Sequence, residues 1–353
     1  MTQLPDRPPP HRQPVPDPES GAVGGEAHAS RGVLWGITFH LGPDLLIMTL
    51  FMAVLLGLMI VYGGQFTFVQ SSIILPLVFL VGIIVVAFAA RFRRIISGDR
   101  QQRREFYRLS LAMVRDWFPL IIIIFIYENA HDLTNLIRPS TVDGALRRID
   151  EVLFGVEPTL VLQKITSPWL TEYMTFVYAL YFVYPAILLG IAYARGEFFK
   201  FREIGLALSL CFYLGLAGYI CVPAIGPRYF MAGEFTVPLD GIWLTARAAA
   251  AWNHFESIKR DCFPSLHTAI TTIALVYLWR YRRRWRAGRP LLAVCAPLIA
   301  SLWFSTLYLR YHWLIDVIAG WVLGVACCYA APWIVRSYYR RKTGVDLELS
   351  TDL

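Results

Sequence analysis

Three stretches of the chain, residues 45–62, 73–90 and 204–222, contain no charged side chain at all. Each is about 18 residues or longer, which as α-helix is enough to cross a hydrocarbon core. Less clean apolar runs predict further helices: one ending near Tyr127, then 173–194, 264–279, 291–309 and 313–335. Together they predict about eight membrane spans and an all-α, polytopic transmembrane helical bundle. The third span is the least clean, because RDWFPLIIIIFIYENAHDL offers eleven apolar-run residues before Glu128 and opens with Arg115 and Asp116. Its boundaries can move by a turn.

The polar positions divide the rest. Residues 1–32 carry seven prolines in the first 18 positions and little hydrophobicity, a composition that cannot build a core. They are expected to form a disordered cytoplasmic tail, and with no apolar signal-peptide core ahead of it the first span is expected to direct insertion. Residues 33–104 are then expected to hold two transmembrane helices and a basic loop, 105–336 the main membrane domain, and 337–353 a short cytoplasmic tail. Two polar connections stand out. The segment 129–168 includes RRIDEVLFGVEPTLVLQ, which reads as a partly amphipathic helix on the outer surface, ended at Pro158. The segment 223–262 includes WLTARAAAAWNHF, whose Trp243 and Trp252 suit the headgroup layer.

Composition agrees with a membrane protein: of 353 residues 56% are hydrophobic and 16% charged, and the mean hydropathy is +0.50. The formal net charge of +8 does not point to nucleic acid, because Lys and Arg cluster in short loops between spans. Basic blocks at 91–115, 195–202, 280–289 and 336–342 follow the second, fourth, sixth and eighth spans and are expected in the cytoplasm. The uncharged YGGQFTFVQSS and the loops after the third and fifth spans are expected outside. The six cysteines show neither metal nor redox spacing. Cys211, Cys295, Cys327 and Cys328 fall in spans as small apolar fillers, while Cys221 and Cys262 flank one outer loop and leave a disulfide open.

Topology therefore assigns several polar residues to one membrane face without the use of any motif. In RYHWLIDV, His312 and Asp316 are four apart at the outer start of the eighth span, about one turn apart on a helix. A carboxylate that accepts from one ring nitrogen fixes the tautomer and frees the other nitrogen to attack an electrophile; a structural hydrogen bond is the other reading. In CFPSLH, Pro264 suits a first helical turn, with Ser265 and His267 just inside it, where free amides favour an anion. His267 reads as a general acid or as a satisfied interfacial histidine. In PAIGPRYF, Arg228 follows a Gly-Pro turn and reads as a phosphate ligand or as an arginine reaching to headgroups. Arg310, two residues before His312, and Lys259 with Arg260, just before the PSLH turn, carry the same two readings. Convergence of an anion pocket, a carboxylate-backed nucleophile and a second proton donor describes phosphoryl transfer through a histidine.

The order of an Arg turn, then P-S-x-H, then H-x3-D with a following V-x-A-G step resembles the type 2 phosphatidic acid phosphatase superfamily over roughly residues 105–335. FPSLH, YHWLIDVIAG and upstream IDEVLFGVEPTLVLQ look most like its inositol phosphorylceramide synthase branch. The resemblance implies a six-helix phosphatase-like core, His312 as nucleophile, Asp316 as its orienting partner and His267 as acid for the leaving group. Arg228 and Ser265 become phosphate ligands, the substrate a lipid phosphate or phosphodiester in the membrane, and no metal or other cofactor is implied. Departures concern the phosphate site. Cys221 stands where the family has a Lys seven residues before the Arg, Pro227 precedes rather than follows Arg228, Leu266 replaces a Gly, and Thr306 after Ser305 replaces an Arg. Arg310 is the expected substitute.

The acceptor decides between phosphatase, with water, and phosphotransferase, with a lipid alcohol; the branch resemblance favours transfer of the inositol type. Two other readings stand beside it. The two His and one Asp have the donor types of a metal site. A proton-coupled transporter also uses intramembrane His and Asp, although its site belongs near the midplane, whereas here helix centres such as TTIALVYL are bare of charge.

Overall fold

The computed structural model of the chain describes residues 42–63, 100–255 and 259–343, within one compact unit that begins at Gly42. They form helices α1 (Pro43–Tyr62), α2 (Arg100–Ile137), α3 (Asp143–Phe154), α4 (Pro158–Leu162), α5 (Pro168–Ala179), α6 (Val183–Ala194) and α7 (Phe198–Cys221). There follow α8 (Pro227–Phe230), α9 (Leu244–Phe255), α10 (Leu266–Tyr281), α11 (Gly288–Tyr308) and α12 (Leu314–Thr343). Among the described residues the only β-type pairing is an isolated parallel bridge between Ala224 and Asp261.

Five described segments are long and apolar enough to cross a membrane: Pro43–Tyr62, Pro168–Ala194, Phe198–Cys221, Gly288–Tyr308 and Leu314–Arg341. The chain is an integral, all-α membrane protein. The expected span at 73–90, the 1–32 tail and the last residues lie outside the described residues, as does the side chain of Trp252. The expected third span falls within α2, a helix of 38 residues, and the sixth on α10, of 16 residues, and neither is among those five. The 173–194 span begins earlier, at Pro168, and passes through a short 3₁₀ turn at Leu180–Phe182 that joins α5 to α6.

Helix α7 is the hub, in contact with α1, α2, α6, α10 and α12, and it buries Ile204, Leu208, Cys211 and Leu216 among them. Lipid tails give helices little hydrophobic reason to associate, so close approach of small residues matters. Gly320 and Gly324, one turn apart on α12, meet α10: a Cβ on Gly320 would lie 2.5 Å from the Ser265 carbonyl oxygen, and one on Gly324 2.5 Å from that of Ala269. The two helices that begin at the histidine motifs thus run backbone against backbone.

Ion pairs gather at the other ends of these helices. Arg115 reaches Asp44 at 2.7 Å, Arg202 reaches Asp116 at 3.0 Å, and Arg280, at the end of α10, lies 3.9 Å from Glu203. On the histidine side α3 stops earlier than expected. Gly155 adopts φ 74° and donates to the Glu151 carbonyl as a left-handed cap, whereas Pro158 opens α4. Cys221 and Cys262 are both free, the first exposed and the second buried, so the loop they flank is not closed by a disulfide.

Candidate active site

His312 stands on the turn between α11 and α12, with its amide bound to the Thr306 carbonyl at 3.2 Å. Its Nδ1 is 2.9 Å from the carbonyl oxygen of Cys262. A carbonyl only accepts, so Nδ1 carries the ring proton and Nε2 keeps its lone pair. The sequence reading put Asp316 in this role, and here the structure differs. Asp316 Oδ2 is 3.6 Å from Nδ1, longer than a hydrogen bond. The reason is local: α12 begins at Leu314, leaving His312 outside the helix, and Oδ2 already accepts from the Trp313 amide and the Cys262 thiol, each at 2.8 Å. Burial and the Asp316 carboxylate push the Cys262 thiol well up, which keeps it an S–H donor. Asp316 therefore holds the loop rather than the ring, and a backbone carbonyl fixes the tautomer.

His267 stands in the first turn of α10, half-buried, between the rings of Tyr178 and Tyr181, each with a centroid 4.4 Å away. Its ring centroid is 5.8 Å from that of His312. Ser265 caps α10 rather than lying inside it; its hydroxyl accepts from the Thr268 amide at 3.3 Å and hydroxyl at 3.1 Å. Its own amide donates to the Asp316 carbonyl at 3.1 Å and ties the two motifs together.

Arg228 leaves a turn that needs glycine. Gly226 has φ 79°, and a Cβ there would be 2.3 Å from the Tyr311 carbonyl oxygen. That approach lets the Arg228 amide donate to the Arg310 carbonyl at 2.7 Å. The half-buried Arg228 guanidinium lies 4.9 Å from the centre of the Tyr311 ring. Arg310, only 7% exposed, donates to the Val237 carbonyl at 2.6 Å and covers Phe235. Burial, with Arg228 nearby, pushes its pKa below the usual arginine range. Its φ of 65° is a strained value for a non-glycine residue. Lys259 is exposed, its ammonium 5.0 Å from the centre of the Tyr229 ring.

The structure thus brings His312, Asp316, His267, Ser265, Arg228 and Arg310 to one end of the bundle and leaves Lys259 on the exposed side. Sequence reasoning missed Cys262, Tyr178 and Tyr181, and two buried acids of α3, Asp143 and Asp150. The acids left a trace in the sequence, being seven apart on one face of a helix otherwise half apolar. Beside Arg228 and Tyr311 lies a cavity of about 200 Å³ whose wall includes Thr175, Asp240 and Thr245. Ligand atoms of Cys262, His312 and Asp316 all fall within 4.8 Å of one another. These are donor types for a thiophilic cation, with Cys262 in the place that the sequence reading gave to His267.

Membrane enzymes that move phosphoryl groups on lipids are the class into which this arrangement falls. A family stands behind that assignment: residues 145–330 match the PAP2 superfamily, and the chain belongs to it. Two curated relatives share part of the sequence. The chain is 26% identical over 224 residues to a phosphoinositol dihydroceramide synthase of Bacteroides thetaiotaomicron, covering 57% of this chain and 69% of that protein. It is 23% identical over 222 residues to an inositol phosphorylceramide synthase of Candida albicans, covering 59% of this chain but less than half, 45%, of the fungal protein. No solved structure matches.

Proposed function

We propose that the chain transfers a polyol-phosphate headgroup of the phosphoinositol type from a glycerophospholipid to a lipid alcohol such as a ceramide, through a phosphohistidine on His312. The names of the two relatives suggest headgroup and acceptor. The observation that carries the chemistry is a pair of histidines, one in the first turn of α10 and one on the turn before α12, 5.8 Å apart ring to ring, the second with Nδ1 anchored on a carbonyl.

In the first step Nε2 of His312 attacks phosphorus, the bond from phosphorus to the diacylglycerol oxygen breaks, and His267 gives that oxygen its proton. In the second, the acceptor hydroxyl attacks the phosphohistidine, His267 takes the hydroxyl proton, and the P–N bond breaks to regenerate neutral His312. Arg228 and Arg310 balance the charge on the phosphorus oxygens. Ser265 is a further phosphate ligand through its free hydroxyl proton, and Lys259 adds positive charge at the entrance. The cavity beside Arg228 suits the polyol, since Asp240, Thr175 and Thr245 match hydroxyl groups. We assign this chemistry to residues 105–336 and to the extracytoplasmic face, with both termini in the cytoplasm, because the basic blocks collect at the opposite helix ends.

The test uses purified full-length protein in vesicles with labelled phosphatidylinositol or phosphatidic acid, with and without ceramide or diacylglycerol. Acid-labile label trapped on the wild type and absent from His312→Gln, with a headgroup-bearing acceptor as product, is the expected result. Release of free phosphate alone makes the chain a phosphatase. Equal turnover by His312→Gln removes the nucleophile and the reading with it.

A further inference from the structure

Helix α3 borders the site, and two of its acids take no part in the steps above. Asp143 and Asp150 are seven residues apart, two turns along one face, and both are wholly buried, at 0% exposure. Leu146, between them on that face, joins a small apolar cluster with Trp313 and Cys262. Outward-facing Ile149 and Val152 are exposed.

Neither acid forms an ion pair among the described residues. Both accept hydrogen bonds from segments that carry the candidate catalytic groups. Asp150 takes the Leu314 amide at 2.7 Å and the Ile315 amide at 2.9 Å, the first two residues of α12 and close neighbours of His312. Such amides have no partner within their own helix, and a carboxylate is a strong acceptor for them. Asp143 reaches two segments at once. Its Oδ1 accepts from the Gly226 amide at 2.9 Å and from the Trp313 indole N–H at 3.0 Å, while Oδ2 accepts from the Ile225 amide at 3.0 Å. One carboxylate therefore joins the turn that presents Arg228 to the residue next to His312.

Burial of a carboxylate is costly unless hydrogen bonds compensate it. Here five donors do so, and all five belong to the Arg228 turn or the start of α12. We propose that Asp143 and Asp150 are positioning residues for the transfer reaction, acting from α3 as a clamp that fixes the distance between the His312 loop and the Arg228 turn. This rests on the roles given above to His312 and Arg228. The two acids do not touch substrate; they act through backbone amides and the Trp313 indole.

Asp143→Asn and Asp150→Asn keep side-chain size but replace one acceptor oxygen by a donor, which opposes the amides now bound there. Expected for each is a fall in kcat of about 10- to 100-fold, the scale of an ångström-level misplacement, with KM for the lipid donor within about threefold. The rate of label trapping on His312 falls with kcat while the total amount trapped per protein holds. Glu151→Gln, on the exposed side of the same helix, stays near wild type. Trp313→Phe deletes only the indole donor to Asp143 and is expected to lower kcat by about three- to tenfold, which keeps the test open if an acid variant does not fold. Hydrogen exchange at the Leu314 and Ile315 amides, faster in Asp150→Asn, reads the clamp without turnover.

Rates within twofold of wild type, or a loss of trapped amount with an unchanged rate per trapped site, would overturn the clamp. So would unchanged exchange at both amides. A wild type that traps no label defeats the functional reading instead, and the exchange experiment then decides the clamp alone.

Discussion

Replacing Gly320 by alanine places a methyl carbon 2.5 Å from the Ser265 carbonyl oxygen and 2.9 Å from Thr268 Cβ. Neither neighbour can swing aside, since one is backbone and the other is bonded to it. Ordinary contact between such atoms needs about 3.5 Å, so α10 and α12 must part by about 0.5–1 Å at this level. Ser265 is two residues from His267, and its amide is tied to Asp316. The separation should therefore fall on the two histidines, where a misplacement of about 1 Å costs about 100-fold in rate. Stability should change much less. Crowding costs about 1–3 kcal/mol, while alanine in place of glycine in a helix returns about 1 kcal/mol. Gly320→Ala is thus expected to lose about 10- to 100-fold in kcat with little change in thermal midpoint. Gly324→Ala meets the Ala269 carbonyl oxygen at 2.5 Å and Thr272 Cβ at 2.9 Å, similar crowding one turn further from the site, and should lose less. Gly57→Ala, with nothing within 4 Å, is the control. Initial rates of headgroup transfer in vesicles, taken beside melting curves, decide it. A fully active Gly320→Ala, or a larger loss at Gly324, refutes the argument that this contact sets the histidine spacing.

Four further outcomes follow from the same geometry. Asp316→Asn should cost about 10- to 100-fold in kcat, well short of the roughly 10⁴-fold loss seen when an aspartate alone fixes a catalytic tautomer, because the Cys262 carbonyl still orients His312; a loss equal to that of His312→Gln contradicts this. Arg310→Ala should raise KM for the phospholipid donor by about tenfold with the fold retained, and unchanged kinetics remove it as the substitute for the missing motif arginine. Burial pushes Asp150 up to about 6 from its ordinary 3.8, against its two amide donors and with help from Asp316 and Glu157. The folded chain then keeps a proton that the unfolded chain sheds across that window, so stability falls as pH rises from 3.8 to about 6; Asp150→Asn should flatten this slope in melting temperatures, and parallel curves refute it. Turnover should survive strong chelators, and its loss with restoration by a divalent cation would favour metal chemistry at Cys262, His312 and Asp316.

What the sequence reveals of this site is governed by chain separation. Ser265 and His267, or His312 and Asp316, are near neighbours at the ends of apolar runs, so their grouping at one membrane face is readable from spacing and loop charge. The contact between His312 and Asp316 is not, because the four-residue rule assumes that both lie in the helix and α12 begins only at Leu314. The tautomer depends on the carbonyl of Cys262, 50 residues away, and no side-chain identity announces a carbonyl's direction. Asp143 and Asp150 show their shared helix face in the sequence but not their partners, which are mostly backbone amides between 82 and 165 residues distant. Gly320 and Gly324 are a different case. GWVLG has the spacing of a close helix crossing and lies in the open, but it names no partner helix until Ser265 and Ala269 are seen against it.

Charge supplies a further argument for where the phosphate goes. Among the described residues Arg115, Arg147, Arg195, Arg202 and Arg280 each have a carboxylate within 4 Å. Arg228 and Arg310 have none, as is also true of Arg138, Arg260 and Arg282, which donate to backbone carbonyls; Arg310 donates to a carbonyl and Arg228 faces an aromatic ring at the end of the bundle that holds both histidines. Burial is the main cause that lowers the Arg310 pKa and Arg228 adds to it, as like charges in a partly buried place repel more strongly than in water. An anion placed between them relieves that repulsion and gains two charge-assisted contacts at once. Arg310, four positions after Thr306 and in a strained left-handed conformation, shares the loop of His312 and has its carbonyl bound by the Arg228 amide, and it is the residue proposed in place of the missing motif arginine. If the two arginines hold the phosphate as proposed, they should serve any lipid phosphate, and discrimination among headgroups should fall to the cavity walls at Asp240, Thr175 and Thr245.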